Sequence, residues 1–287
     1  MEYSTTHFEI LIFILMRCIS FVKIVICLVI MMVSLPEVIQ AQTTFQPKKI
    51  EFDWKGIVYR YEKAFDFSLH TNGFIIGYNS GRILTYNKTR YYHFSIGYMG
   101  DPRERRQNKN IPLAKMTSKS FSYGKLNSLY VLRAGIGRKK YLSEKAKRKG
   151  IALGYSYEVG PAIAMLKPNY LYLLFSENQN GTLVDELRAE RYSSENADVF
   201  LDYNRIYGGG GFTRGWKELT FTPGLQARGG ILFSLGAYDK YVKMIEVGIM
   251  ADLFIKKISI LAETEAVSNK PYFINLYVTL QLGARRN

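Results

Sequence analysis

The stretch PYFINLYVTLQLG, residues 271–283, alternates strictly. Tyr272, Ile274, Leu276, Val278, Leu280 and Leu282 form one row, and Phe273, Asn275, Tyr277, Thr279 and Gln281 form the other. Successive side chains of a strand point to opposite faces, so the stretch predicts a strand with one apolar side and one mostly polar side. A tilted strand of about 9–11 residues crosses a bilayer, and residues 272–282 have that length. On this reading the apolar row faces lipid and the other row faces a lumen.

The same period recurs upstream. It predicts strands over residues 64–78, 90–100, 121–137, 150–166, 170–175, 220–235 and 242–255. Within 64–78 the apolar phase slips by one at Asn72-Gly73, which fits either a hairpin turn or a bulge in one long strand. The bulge keeps each strand long enough for a membrane and makes the count eight, with ten as the alternative. Residues 79–89 read as a connection, 101–119 as a charged loop, and 176–211 as the longest interruption. Part of that interruption, 182–191, reads as a short helix. Gly208 to Gly211 lack the lysine and hydroxyl of a phosphate loop and read as a hinge.

An even number of antiparallel strands with both ends on one side predicts an all-β fold, a closed single-chain transmembrane barrel. Closure removes the sheet edges that lipid could not satisfy. With the termini in the periplasm, Pro168-Asn169 and residues 237–240 become short periplasmic turns. Residues 81–88, 138–149, 176–211 and 256–270 fall outside, and 101–119 is left as a long periplasmic connection, an uncomfortable feature of this topology.

The 22 Tyr, 17 Phe and 24 Gly suit such a fold, because aromatics favour strands and glycine serves turns and bulges. Residues 1–41 are predicted to be a signal peptide. The apolar core IVICLVIMMVSL, residues 24–35, follows Arg17 and Lys23, and Ala41 supplies a small residue for cleavage. Glu2 and Glu9 fit the start of such a leader poorly, so translation from Met16 is the alternative to Met1. The two charges inside the apolar stretch argue against a retained membrane helix. Residues 42–63 read as a periplasmic lead-in and 64–287 as the barrel. Cys18 and Cys27, the two cysteines, both fall in the leader, so the mature chain is expected to hold no thiol, disulfide or thiolate metal site.

The full chain carries 39 basic and 24 acidic residues, net +15. Without Arg17, Lys23, Glu2, Glu9 and Glu37 the balance is 37 against 21, or +16. For an exported β protein such a charge points to an anionic membrane surface or lipopolysaccharide phosphate. Nucleic acid is not expected, since neither basic run interleaves with aromatics on a groove-binding element.

Four stretches carry a family resemblance: IQAQ at 39–42, FDFSLHTNGFIIGY at 65–78, IEVGIMADLF at 245–254 and FINLYVTLQLG at 273–283. With them the chain resembles small outer-membrane β-barrel proteins of the Bacteroidetes type, in the broad company of OmpA-like and OmpX-like barrels. The resemblance implies an outer-membrane location and the barrel assembly machinery as a partner, and it implies no chemistry. The chain departs from the usual pattern in ending on residues 284–287 instead of an aromatic.

The phasing turns Asp66, Ser68, His70, His93, Ser95, Arg133, Glu158, Gln226, Arg228, Glu246, Asp252, Asn275, Thr279 and Gln281 inward. Eight strands enclose an interior just wide enough for side chains to fill, and unpaired buried charges are very costly. Asp66, His70, His93, Arg133, Glu158, Arg228, Glu246 and Asp252 are therefore predicted to form an ion-paired lumen, with a narrow diffusion channel as the alternative. Outside, Arg138, Lys139, Lys140, Lys147, Arg148 and Lys149 are candidates for holding lipid phosphates. A third reading is an acyl hydrolase acting on lipid A. His70 and His93 lie beside Ser68 and Ser95, and HTNG at 70–73 is faintly similar to the His-x-Ser-Asn stretch of lipid A deacylases, although Asn72 stands where the serine would be. No metal-ligand spacing or cofactor motif is visible.

Overall fold

Eight strands hydrogen bond into a closed antiparallel barrel in this computed structural model, which describes residues 59–109, 112–113, 116–142, 151–179, 182–235, 240–263 and 268–287. The predicted leader and residues 42–58 of the lead-in lie outside the described residues, and the end of the lead-in, from Tyr61, already belongs to the first strand. The barrel strands are β1 (Tyr61–His70), β2 (Gly73–Thr85), β3 (Lys88–Met99), β4 (Asn127–Tyr141), β5 (Ala152–Pro168), β6 (Thr220–Ser234), β7 (Tyr241–Phe254) and β8 (Tyr272–Arg286). Each pairs with its sequence neighbours, and β1 pairs with β8 from Tyr61 opposite Arg286 to His70 opposite Tyr277. The seam leaves no unpaired edge.

The count of eight is reached by a different route from the one the hydropathy suggests. Residues 64–78 are a hairpin, not a bulged strand: His70 faces Gly73 across Thr71 and Asn72, and the ladder continues to Tyr61 opposite Arg82. Both arms outrun their apolar stretches, β2 absorbing Asn79 and its neighbours, so neither is too short to span. Conversely, residues 170–175 do not join the barrel. They belong to a separate three-stranded sheet in which Tyr170–Gln179 lies between Thr182–Arg191 and Ile206–Gly209. The segment expected to be a helix, Thr182–Arg191, is thus a strand. Two of the four glycines expected to form a hinge, Gly208 and Gly209, sit in the third strand.

This rearrangement changes the topology. The connections of two or a few residues after β2 and β6, and that after β4, share one end of the barrel with the start of β1 and the end of β8. The connections 100–126, 169–219 and 255–271 all emerge at the other end. Residues 138–142 therefore lie at the terminal end and the described part of 101–119 at the loop end, the reverse of the sequence-based assignment, and the awkward long connection on the terminal side disappears.

The wall separates chemistry by face. Outward positions such as Phe65, Phe94, Ile96, Val159, Ile249 and Ile274 are apolar and exposed. Aromatic residues flank this aliphatic band, with Tyr61, Tyr92 and Tyr241 toward the terminal end and Phe74, Phe221 and Tyr272 toward the loop end. Inside, two apolar clusters bracket a polar middle. Near the termini, Ala64, Tyr141, Ala152, Val242 and Met244 pack together. At the loop end the connection after β7 turns into the mouth, burying Ile258, Ile260 and Leu261 against Met99, Leu129, Val131, Ala164, Leu166 and Phe254.

Candidate functional site: the charged lumen

All fourteen residues that the phasing turned inward are buried in the lumen. They come from every barrel strand except β2, because the two-residue period lets a strand contribute one side chain per layer. The layer nearest the loop end holds a bidentate pair, with Arg133 Nε and Nη2 donating to Asp252 Oδ1 and Oδ2 at 2.8 and 2.9 Å. His70 lies near that end too, where its Nδ1 accepts from the Asn72 backbone N–H at 3.3 Å. No ion pair engages His70 among the described residues, so the predicted network does not extend to it.

The central layer is built around Glu158. It shares a hydrogen bond of 2.9 Å with His93 Nδ1 and accepts from Gln226 at 2.7 Å. The other ring nitrogen of His93, Nε2, lies 3.5 Å from Asp66, which also accepts from Asn79. Arg228 donates to Glu246 at 3.2 Å and stands 3.9 Å from Glu158. Tyr277 donates to the same Glu246 and presents its ring to the Arg228 guanidinium at 4.7 Å. Gly135 makes room for this layer: a Cβ there would lie 2.3 Å from Glu158 Oε1. The small residues of the lumen wall are thus the space into which the charged side chains fold.

The third layer, toward the termini, was not anticipated. Glu62 accepts from Lys139 at 3.1 Å and from Arg285 at 2.9 Å, and Lys139 also donates to Gln281 at 2.8 Å. Continuing the period two residues at a time beyond the apolar stretches, from Asp66 back to Glu62, from Arg133 to Lys139 and from Gln281 to Arg285, reaches all three. Their signal was present but lay outside the segments that hydropathy had marked as strands.

Lys139 accordingly leaves the proposed lipid-binding set. Its residue is 1% exposed and faces Glu62, because it has the inward parity of Arg133. Arg138 is exposed, Lys140 is half-buried, and Lys147, Arg148 and Lys149 lie outside the described residues. The described part of that patch sits at the terminal end.

Across the three layers five carboxylates, Glu62, Asp66, Glu158, Glu246 and Asp252, face Arg133, Lys139, Arg228, Arg285 and the His93 imidazole. Opposite signs meet both between neighbouring strands, as in Arg228–Glu246 and Arg285–Glu62, and across the lumen, as in Arg133–Asp252 and Lys139–Glu62, so the low dielectric strengthens each pair instead of stranding a charge. A nucleophile-base pair is not assembled. His93 is held by Glu158 and Asp66, Ser68 is hydrogen bonded to Thr279 at 2.6 Å, and among the described residues no serine hydroxyl bonds either histidine. The HTNG stretch is the β1–β2 turn.

No family model matches the chain, and no curated protein matches it. Among solved structures it is similar to Neisserial surface protein A, at 8% identity and a TM-score of 0.31, over 79% of this chain and 94% of that one. It is also similar to the N-terminal β-barrel domain of Pseudomonas aeruginosa OprF, at 8% identity and a TM-score of 0.30, over 78% of this chain and 97% of that one.

Proposed function

We propose that this chain is an integral outer-membrane barrel with a filled lumen, serving a structural or surface-interaction role and not solute passage. The observation that carries this reading is the division of the wall. Exposed aliphatic and aromatic side chains circle the outside, where water would penalise them, and paired ions with an apolar stopper at residues 258–261 occupy the inside. A band of this kind between aromatic girdles suits hydrocarbon. Short turns beside the termini and long connections opposite them favour a periplasmic terminal end and an external loop end. The export signal read in residues 1–41 and the assembly machinery as a partner belong to the same proposal.

Reconstitution into planar bilayers tests it. The folded protein, verified by its faster gel mobility before heating, is expected to give no steady conductance. Sustained single-channel currents would favour the narrow-channel alternative. Trypsin applied to intact cells is expected to cut within 101–109, where Arg103, Arg105 and Arg106 lie on a loop-end connection. Cleavage confined to permeabilised cells would reverse the orientation.

A further inference from the structure

At the loop end, on the outer wall, a cleft of about 750 Å³ opens between the connection 100–126, the end of β5 and the glycine run after the third strand of the small sheet. Such a volume suits a ligand of disaccharide size. The wall side follows from strand parity: Tyr98 continues the outward row of Phe94 and Ile96, Tyr130 that of Leu132, and Lys167 that of Ile163. The cleft therefore stands where the aliphatic band gives way to polar connections.

Its charge is one-sided. Arg106, Lys119, Lys125 and Lys167 line it, with Glu104 as the single carboxylate among its lining residues. Lys125 uses that carboxylate, donating to Glu104 at 2.6 Å and to Tyr98 at 3.0 Å. Burial works against its ammonium, but the Glu104 and Tyr98 bonds hold its pKa above the ordinary lysine value. The remaining three cations have no carboxylate partner among the described residues. Arg106 donates its Nε to Ser120 at 2.9 Å.

Lys167 is the informative one. It is 5% exposed, yet its ammonium makes one hydrogen bond, 2.6 Å to the Phe212 carbonyl, and otherwise meets the rings of Phe212 at 4.4 Å and Trp216 at 5.2 Å. An ammonium carries three donors, and a buried charge without an opposite charge is costly. Among the described residues, each lumen lysine and arginine in the ion-paired layers (Arg133, Lys139, Arg228 and Arg285) has a carboxylate within 3.2 Å. Lys167 lacks one, and it lines the cleft with two further cations that have no carboxylate partner among the described residues, an arrangement that suits an anion arriving from outside.

The neighbouring rings narrow the chemistry. Tyr98, Tyr130 and Phe212 line the cleft, and Trp216 joins the last two into a run from outside the lining, with successive centroid separations of 5.5, 5.4 and 5.5 Å from Tyr98 through Tyr130 and Trp216 to Phe212. Such faces suit the C–H surfaces of sugar rings. The opposing wall is backbone: Gly210 packs so closely that a Cβ would lie 2.7 Å from the Tyr170 Cβ, and Gly211 adopts φ +90°.

We infer that this cleft binds a phosphate-bearing saccharide headgroup, with Lys167, Lys119 and Arg106 holding the phosphate and the aromatic run supporting the sugar. The membrane reading bears only on the source: an external, wall-side cleft at headgroup level would take its ligand from the outer leaflet, whereas the chemistry of recognition is the same for a free sugar phosphate.

The test uses the full chain carrying Trp54→Phe, so that Trp216 is the sole tryptophan reporter, in polyoxyethylene micelles. Three probes are titrated: lipid A, its water-soluble deacylated glucosamine disaccharide bisphosphate, and the same disaccharide without phosphates. Saturable Trp216 shifts with a phosphorylated probe, at least tenfold tighter than the unphosphorylated sugar, are expected. Response to both phosphorylated probes identifies the headgroup itself as sufficient, and response to lipid A alone identifies the lipid as the source. Lys167→Gln is expected to weaken binding tenfold or more. Should that variant not fold, the exposed double variant Arg106→Gln/Lys119→Gln reads the same loss. Equal affinity for phosphorylated and unphosphorylated sugar, no response to either phosphorylated probe, or unchanged affinity in variants that keep the folded gel mobility overturns the inference. None of these outcomes alters bilayer insertion or conductance, so the membrane reading stands or falls separately.

Discussion

Two arginine-aspartate pairs in this molecule have nearly the same geometry and opposite surroundings. Inside the barrel, Arg133 grips Asp252 through Nε and Nη2 at 2.8 and 2.9 Å, with side chains 3% and 0% exposed. On the loop-end rim, Arg103 grips Asp101 through the same two nitrogens at 2.9 and 2.7 Å, with side chains 42% and 10% exposed. The inner pair joins residues 119 apart in sequence and ties β4 to β7 across the lumen. The outer one joins residues two apart and tightens a single turn. Equal hydrogen bonds therefore do unequal jobs: the surroundings set what losing a partner costs, and sequence separation sets how much structure the pair organises.

The largest expected effect comes from breaking the inner pair on one side. Arg133→Met leaves Asp252 buried without its partner and is expected to destabilise the folded barrel by about 3–5 kcal/mol, read by urea unfolding in micelles. Arg133→Met/Asp252→Leu removes both charges and is expected to recover most of that loss. A double variant as unstable as the single would mean that the pair itself, and not the stranded carboxylate, supplies the stability.

A slightly smaller effect is expected one residue from the central layer but on the other face. Phe94 is 59% exposed and follows His93, whose side chain is buried between Glu158 and Asp66. Phe94→Arg sets a charge against lipid and is expected to cost about 2–4 kcal/mol in bilayers. In a water-soluble barrel the same change would be harmless or helpful. Unfolding titrations in vesicles, with the variant as stable as the parent, would count against hydrocarbon contact at this position.

The comparison also explains what could be read in the sequence. In the middle of most strands the outward neighbours are apolar or small and the inward residue polar, so Asp66, Glu158, Arg228 and Glu246 stand out by parity alone. Toward the terminal end the outward row turns polar, with Lys63, Ser80 and Arg82 on β1 and β2. Hydropathy then loses the strand, and Glu62, Lys139 and Arg285 lost their place in the lumen. For the same reason each arm of the β1–β2 hairpin looked too short to span, which favoured a bulge at Asn72-Gly73. Residues 170–175 misled in the opposite sense. Leu171 and Leu173 are buried against Phe121, Phe200 and Ile206, and an apolar run does not reveal whether its cover is lipid or protein. These two differences cancel, which is why the strand number agreed while the topology did not. The cleft was illegible because its cations, Arg106, Lys119, Lys125 and Lys167, come from separate turns and strand ends and meet only after the barrel has closed.

The rim pair gives the smallest expected effect and a pH signature of its own. Burial pushes the Asp101 carboxyl up, but the side-chain and backbone hydrogen bonds from Arg103 outweigh it and hold the pKa below the usual aspartate value. A carboxylate with a depressed folded pKa contributes stability above its unfolded value of about 3.9, and that contribution disappears as pH falls through the folded value. The solvent screens this pair, so the contribution is expected to stay below about 1 kcal/mol. Hydrogen exchange of the 101–104 turn, where the Glu104 amide donates to the Asp101 carbonyl at 3.0 Å, reads it locally. At pH 6 the parent is expected to be modestly better protected than Asp101→Asn, and the difference should close as the pH falls below the ordinary aspartate range. A difference that persists unchanged into acid would show that the turn is held by backbone geometry alone. A difference comparable to that of Arg133→Met would erase the contrast between rim and lumen.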